Sequence, residues 1–292
     1  MDSTRTNKLF GIGLMLTAML LFPCLDVLAK TLGAQGQPVM QSVWSRMVLG
    51  AVLTLPLLAL REGMKGLTPQ AIPLNVLRGL AIIATTYFFF SAMKFQGIAE
   101  TLSLYFIQPI LVTAMAPLLL RERVGLLRWL AVMGGFLGVL VIIRPGLIAL
   151  NPGALLALAS GASAAVVLVT SRMLSFKASA LSNTFYTSLW GGIFCCVIML
   201  WQWQAPTPTQ WLMMFGIAAF GTTCNFLVIK AFEWCEASLL APIGYAEMIN
   251  AVFLGWLFFG DLPDAWTFLG IAILIACALA VSRHEAVQSN LV

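Results

Sequence analysis

Charge is scarce in this chain. Charged residues make up 9% of the 292 positions and hydrophobic ones 61%, too little polar surface to clothe a water-soluble globule. Histidine is scarcer still, with His284 in the tail as the single instance. No His/Cys/carboxylate cluster has metal-ligand spacing, so a metal site is not expected. No G-x-x-x-x-G-K-[ST] segment occurs, which leaves ATP drive within the chain unsupported. No nucleophile has an evident neighbouring base. An enzyme is therefore not expected, and neither is a cofactor. The six cysteines, at 24, 195, 196, 224, 235 and 277, lie mostly inside apolar runs and form no disulfide framework. A selectivity ring or filter loop, the mark of a channel, is also missing. The net charge is +5, yet no basic patch interleaved with aromatics stands apart, so nucleic acid is not an expected partner.

What the chain has in abundance is long apolar runs. They recur at about 18–22 residues, the length of helix that crosses hydrocarbon. They are too long and too weakly alternating for barrel strands. Breaks at Gly, Pro and charge clusters give ten spans, at 9–30, 38–60, 72–93, 97–120, 125–143, 152–171, 179–201, 209–230, 238–259 and 263–282. The first starts directly after Arg5 and Lys8 and has no small-residue cleavage site, so it reads as an uncleaved span. With the N-terminus inside, eleven basic residues fall at cytoplasmic ends and only Lys30, Lys94 and Arg144 at outer ends. That bias predicts a multi-pass protein of the inner membrane with both termini in the cytoplasm. Membrane lipid is its first partner.

Ten spans also divide into two fives. A shift of 139 residues sets Ala92 on Ala231, Ile110 on Ile249, Leu118 on Leu257, Glu122 on Asp261 and Arg144 on Arg283. Shifts of 141 and 142 set Gly50 on Gly191 and Lys30 on Arg172. An odd number of spans per half gives the halves opposite orientations, the arrangement many carriers use for alternating access. The expected organisation is a cytoplasmic N-terminus at 1–8, a first repeat at 9–145, a linker at 146–151, a second repeat at 152–283 and a cytoplasmic tail at 284–292. The predicted fold class is all-α integral membrane, with ten helices in two inverted five-helix repeats.

The segments "CLDVLAK", "QSVWSRMVLG", "TLSLYFIQPILVTAMAPLLLRERV" and "GGFLGVLVIIRPG" resemble the drug/metabolite transporter superfamily in its EamA branch. The resemblance covers nearly the whole chain. Its most specific part is the fourth span, with Pro109, Pro117 and the closing Glu122. Asp26, Lys30 and Arg46 resemble a subgroup that includes riboflavin and S-adenosylmethionine carriers and exporters of metallophores or amino-acid-like metabolites. The second half departs from the pattern, with Met248 in place of the repeated proline and Asp261 in place of the glutamate. The resemblance implies a ten-helix carrier, commonly an exporter, driven by a gradient.

Candidate site residues follow from cost. A charged side chain at the centre of a spanning helix costs roughly 2.5–3.5 kcal/mol on insertion scales. Such groups usually face a cavity or a partner. Glu247 stands about nine residues into the ninth span, or roughly 13 Å along the helix. Asn250 shares its face. Gln108 is its repeat equivalent in the fourth span, with Thr101 and Tyr105 alongside. Two roles are open to Glu247, a substrate- or proton-coupling carboxyl and a hydrogen bond that holds two helices together. Asn225, with Gly221 and Thr222, is a further candidate lining residue.

Asp26 and Arg46 lie where the first two spans approach the outer boundary, and are expected to meet there as a vestibule or gate, with Lys30 competing for Asp26. A fixed ion pair orienting two helices is the alternative. Pro23 removes a backbone donor one turn before Asp26. Arg78 and Glu100 are weaker candidates. Arg78 is expected to snorkel to headgroups and Glu100 to occupy a helix start. Tyr87, and the stripe Asn183, Tyr186 and Trp190, offer an aromatic lining. Trp201, Trp203 and Trp211 look like an outer interfacial belt. Gly134 and Gly138 form a small-xxx-small pair that suits helix packing or a dimer, leaving monomer and homodimer both open.

The function these residues predict is secondary active export of a small polar or zwitterionic metabolite by alternating access, with protons as the expected coupling ion at Glu247. Import of a vitamin or cofactor is the alternative. A channel or a membrane-embedded interaction subunit is the more distant rival.

Overall fold

The computed structural model describes residues 2–115, 118–119, 125–143, 151–175, 177–234, 243 and 246–289. Pro117, Glu122, Arg144, Cys235 and most of the 146–151 linker lie outside them. Every regular element among the described residues is helical. In chain order these are α1 (Asp2–Ala34), α2 (Val39–Gly66), α3 (Ile72–Ala92), α4 (Ile98–Tyr105), α5 (Gln108–Met115), α6 (Leu126–Ile143), α7 (Pro152–Ser175), α8 (Ala180–Gln202), α9 (Pro208–Trp234), α10 (Ala246–Phe259) and α11 (Ala265–Ser289). Six of them, α1, α2, α3, α7, α8 and α9, are long and apolar enough to cross a membrane. Their outer faces expose large apolar side chains such as Leu60, Leu200 and Trp201, as lipid contact requires.

Helix ends fall where local chemistry stops or starts them. Gly36 takes the left-handed conformation (φ 84°) after α1, and Gly260 does the same after α10 (φ 70°). Thr207 and Gln210 form a reciprocal capping box at the start of α9, each side chain accepting the other's backbone N–H. Asn151, Ser179 and Asp264 accept backbone N–H groups at the starts of α7, α8 and α11. Glu100 accepts the Gly97 N–H at the start of α4, which accounts for its position.

The expected fourth span is not continuous. It divides into α4 and α5 at Phe106 and Ile107, and the cause is Pro109. Proline has no N–H for the carbonyl four residues back, that of Tyr105, and its ring crowds that carbonyl. Helix α7 comes closest at this break. A Cβ built on Gly161 would stand 2.5 Å from the Tyr105 carbonyl oxygen and 2.7 Å from the Ile107 side chain. Only glycine allows that approach.

Helices from the first half pack mainly on helices from the second. The chief pairs are α1 with α9, α3 with α7, α2 with α8 and α6 with α11. Helix α2 also meets α9 as α3 meets α8, and α1 meets α10 as α4 meets α7. Lipid supplies no hydrophobic drive between helices, so close approach and internal polar bonds carry the association. At the α3–α8 crossing a Cβ on Gly79 would lie 3.0 Å from the Thr187 carbonyl oxygen. Gly134 and Gly138 serve this packing too. Gly138 is buried, and a Cβ on Gly134 would come within 2.5 Å of the Cys277 sulfur on α11.

The turns gather into two ends. At one, the Gln37 amide donates to Gln210 at 2.8 Å and the Gln41 amide to the Gln204 carbonyl at 2.8 Å. Trp44 meets Trp203 and Trp211 edge to face there, and those two are tilted against each other, so the expected interfacial tryptophans 203 and 211 are joined by a third. Asn151 donates to the Phe95 carbonyl and Gly97 lies against Asp261, which brings the α3–α4 and α10–α11 turns to the same end. At the opposite end the α2–α3 and α7–α8 turns meet. Ser179 donates to Glu62, Ser182 to the Gly66 carbonyl at 3.2 Å, and Tyr186 to the Leu67 carbonyl at 2.6 Å.

Because the Tyr105 carbonyl cannot move without displacing α4, Gly161→Ala should destabilise the bundle by about 1–3 kcal/mol. Gly13→Ala, whose Cβ would meet nothing within 4 Å, should be neutral. Unfolding of both variants in detergent, followed by helical signal against temperature, checks the contrast.

Candidate functional site

Four ionisable side chains converge between the halves. Asp26 on α1 is 4% exposed. It lies within electrostatic range of Arg46 on α2, which is also within range of Tyr105 at the end of α4 and Glu247 on α10. Asp26 and Arg46 form no ion pair within 4 Å; the Arg46 Nη1 donates instead to the Thr86 hydroxyl on α3 at 2.7 Å. The buried Nε of Arg46 has no hydrogen-bond partner. Helix α9 makes room for this guanidinium at Gly221, where a Cβ would stand 3.0 Å from Nε.

Glu247 lies in the first turn of α10, and its repeat equivalent Gln108 is the first residue of α5 and is buried. Both therefore occupy helix starts, where backbone N–H groups favour acceptor atoms. Tyr105 packs edge to face on Phe89 at 5.5 Å. Asn250 donates to the Leu20 carbonyl on α1 at 2.5 Å, joining α10 to the helix that carries Asp26. Asn225 donates to the Gly221 carbonyl of its own helix at 3.0 Å and lines a cleft with Arg46.

That cleft, about 260 Å³ of empty space partly open to solvent, is lined by Arg46, Arg78, Thr184, Thr187, Ser188, Thr222 and Asn225 among others. Arg78 corrects the sequence-based expectation. It does not snorkel; it is 2% exposed, donating from Nε to Ser171 and from Nη1 to Thr187, each at 2.8 Å. Thr187 in turn donates to the Asn75 side-chain oxygen at 3.3 Å. Hydroxyls from α7 and α8 give the guanidinium partners inside the protein, so its stem has no reason to run to the boundary. The spacing Asn75, Arg78, Ile82, Thr86 marks one face of α3, a signal that could have found Asn75 and Thr86, which sequence reasoning passed over.

Lys30 is placed differently from the sequence expectation as well. It is bonded to Asp261 in the turn after α10 and lies 4.6 Å from the centre of the Phe259 ring. It does not compete for Asp26, one turn back along α1, because its long stem leads towards the end of the bundle where Asp261 waits.

The aromatic stripe closes the far end rather than the chamber. Asn183 donates to the Leu174 and Ala178 carbonyls at 3.2 and 3.0 Å, tying off α7. Tyr186 holds the Leu67 carbonyl, and Trp190 packs against the cluster of Ala51, Leu58, Phe185 and Tyr186. Tyr87 stands apart, 40% exposed and edge-on to Phe88.

Spanning helices that keep several charged side chains around an internal polar cleft define a polytopic membrane protein whose interior is built to meet a polar solute. Residues 9–144 and 151–283 match the EamA-like transporter family, and the chain belongs to it. It is a membrane transporter and not an enzyme. The chain is 27% identical over 291 residues to a riboflavin transporter of Vibrio cholerae, covering 99% of this chain and 98% of that protein. It is 23% identical over 290 residues to an S-adenosylmethionine uptake transporter of Rickettsia conorii, with coverage of 99% and 98%. It is also 25% identical over 279 residues to the pseudopaline exporter CntI of Pseudomonas aeruginosa, with coverage of 94% and 96%. A solved structure described as "Crystal structure of protein" shares the fold, with a TM-score of 0.67 at 18% identity over 96% of this chain and 99% of that one.

If Lys30 and Asp261 hold their end of the bundle together as an ion pair, Lys30→Met or Asp261→Asn alone should lower stability by about 0.5–1 kcal/mol, the range of partly exposed pairs. The exchange of the two charges in one chain should restore most of the loss. A double-mutant cycle on unfolding midpoints at low and high salt checks both statements.

Proposed function

We propose that this transporter is a secondary carrier of the inner membrane, with both termini in the cytoplasm, that exports a small polar or zwitterionic metabolite by alternating access. Its ten spans would form two inverted five-helix repeats, 9–145 and 152–283. The observation that carries this reading is the convergence of buried Asp26 with half-buried Arg46, Tyr105 and Glu247, drawn from helices of both halves. Two further features support it. The helix pairings come in equivalent sets, α1 with α9 as α3 with α7 and α1 with α10 as α4 with α7, as two related halves would give. Gln108 and Glu247, matched by the repeat shift, both occupy helix starts.

In this mechanism Glu247 exchanges a proton for the solute, while Asp26 and Arg46 separate or approach as the chamber opens to one side or the other. Rocking of one repeat against the other would break the Lys30–Asp261 end and the Tyr186–Leu67 end in turn. The relatives supply a second reading. The riboflavin and S-adenosylmethionine proteins match the whole chain as well as the exporter does, which favours uptake of a vitamin or cofactor through the same chamber.

Membrane vesicles of chosen orientation, loaded with candidate solutes and given an imposed pH gradient, test the proposal. Glu247→Gln should insert normally and lose the acceleration of flux by the gradient. Undiminished acceleration in the variant would remove Glu247 from proton coupling, and the vesicle orientation that supports flux separates export from uptake.

A further inference from the structure

Arg78, one of the most deeply buried charges in the bundle, has no opposite charge beside it among the described residues. The partners of Arg78 are two neutral hydroxyls, those of Ser171 and Thr187. No carboxylate among the described residues lies within ion-pair distance of it, and the charge that acts on it is Arg46, of the same sign. Both guanidinium groups line one cleft. Hydroxyl dipoles offset the burial of such charge only in part, so a guanidinium retained there calls for an anion that arrives with the solute.

The geometry narrows the anion. Arg78 stands six residues into α3, roughly 9 Å from its start, with the fork held in orientation by two hydroxyls on different helices. An oriented guanidinium matches the paired oxygens of a planar oxyanion. Thr184, Ser188 and Thr222 ring the same space with hydroxyls.

We infer that the cleft between Arg46 and Arg78 receives a carboxylate of the transported solute, with the Arg78 fork as its principal ligand. The inference rests on the carrier reading above and names the solute class. A carboxylate is favoured over a phosphate by charge balance. Asp26 and Glu247 are within electrostatic range of Arg46, and a carboxyl group nearby repels a dianion more than a monoanion. A carboxylate therefore enters at lower cost than a phosphate dianion, and an ammonium on the same solute would have those carboxyl groups to meet.

Arginine-selective labelling by phenylglyoxal tests this on the full chain in lipid nanodiscs, with each adduct located by mass spectrometry. Exposed Arg61 is the internal reference. Acetate at four times its dissociation constant should slow adduct formation at Arg78 about five-fold, with chloride at equal ionic strength without effect and Arg61 unchanged. The inference is overturned if acetate gives no protection, if phosphate alone protects, or if Arg61 slows equally. It is also overturned if Arg78 resists the reagent with no anion present, since a site closed to water receives no carboxylate. The labelling measures no flux, so its failure leaves the carrier reading standing, and a flux failure leaves the site standing.

Discussion

Hydrocarbon offers no hydrogen-bond donors, no acceptors and almost no dielectric response, so every polar group taken into this bundle must be answered by another part of the chain. The architecture around the cleft is the working-out of that constraint. Arg78 draws hydroxyls from α7 and α8, and Arg46 draws one from α3 and two carboxyl groups from α1 and α10. Each of those partners comes from a different helix. The charges therefore fix which helices must be neighbours, while the small residues at Gly79, Gly161 and Gly221 let them come close enough to answer.

The same constraint explains why the break between α4 and α5 sits where it does. A broken helix is costly in lipid because it strips carbonyls of their partners, and it is tolerated only against protein. Here the break caused by Pro109 faces the bare backbone of α7 at Gly161. It delivers Tyr105 on one side, within electrostatic range of Arg46 and Glu247, and buried Gln108 on the other. A continuous helix would have put these side chains on a single regular face. The break gives each its own direction.

Much of this was legible in the sequence, and the rest was hidden for definable reasons. The starts near 72, 180 and 208 follow from Pro and capping residues, all local signals. Glu247, Asp26 and Arg46 stood out because a charge in an apolar run is conspicuous by itself. Arg78 was misjudged because its distance from the boundary permitted snorkelling, and only tertiary structure could supply Ser171 and Thr187, ninety-three and 109 residues away. Lys30 and Asp261 are 231 residues apart, beyond the reach of any spacing rule. Asn183 and Tyr186 looked like lining because their spacing is that of one helix face, which says nothing about whether the face meets a solute or a neighbouring turn.

The two ends of the bundle are fastened by different chemistry. One includes side chain against side chain, a lysine on an aspartate and glutamine on glutamine, beside the Gln41 and Asn151 amides on main-chain carbonyls. The other is held largely by α8 side chains gripping main-chain carbonyls of the α2–α3 turn. Main-chain acceptors are present whatever residue occupies the position and carry no net charge. The ion pair of the first is thus open to dissolved ions and to drift in either partner, whereas the carbonyl bonds of the second are nearly blind to ionic strength and change through their donors. A machine clasped this way has one door that its surroundings can loosen more readily than the other.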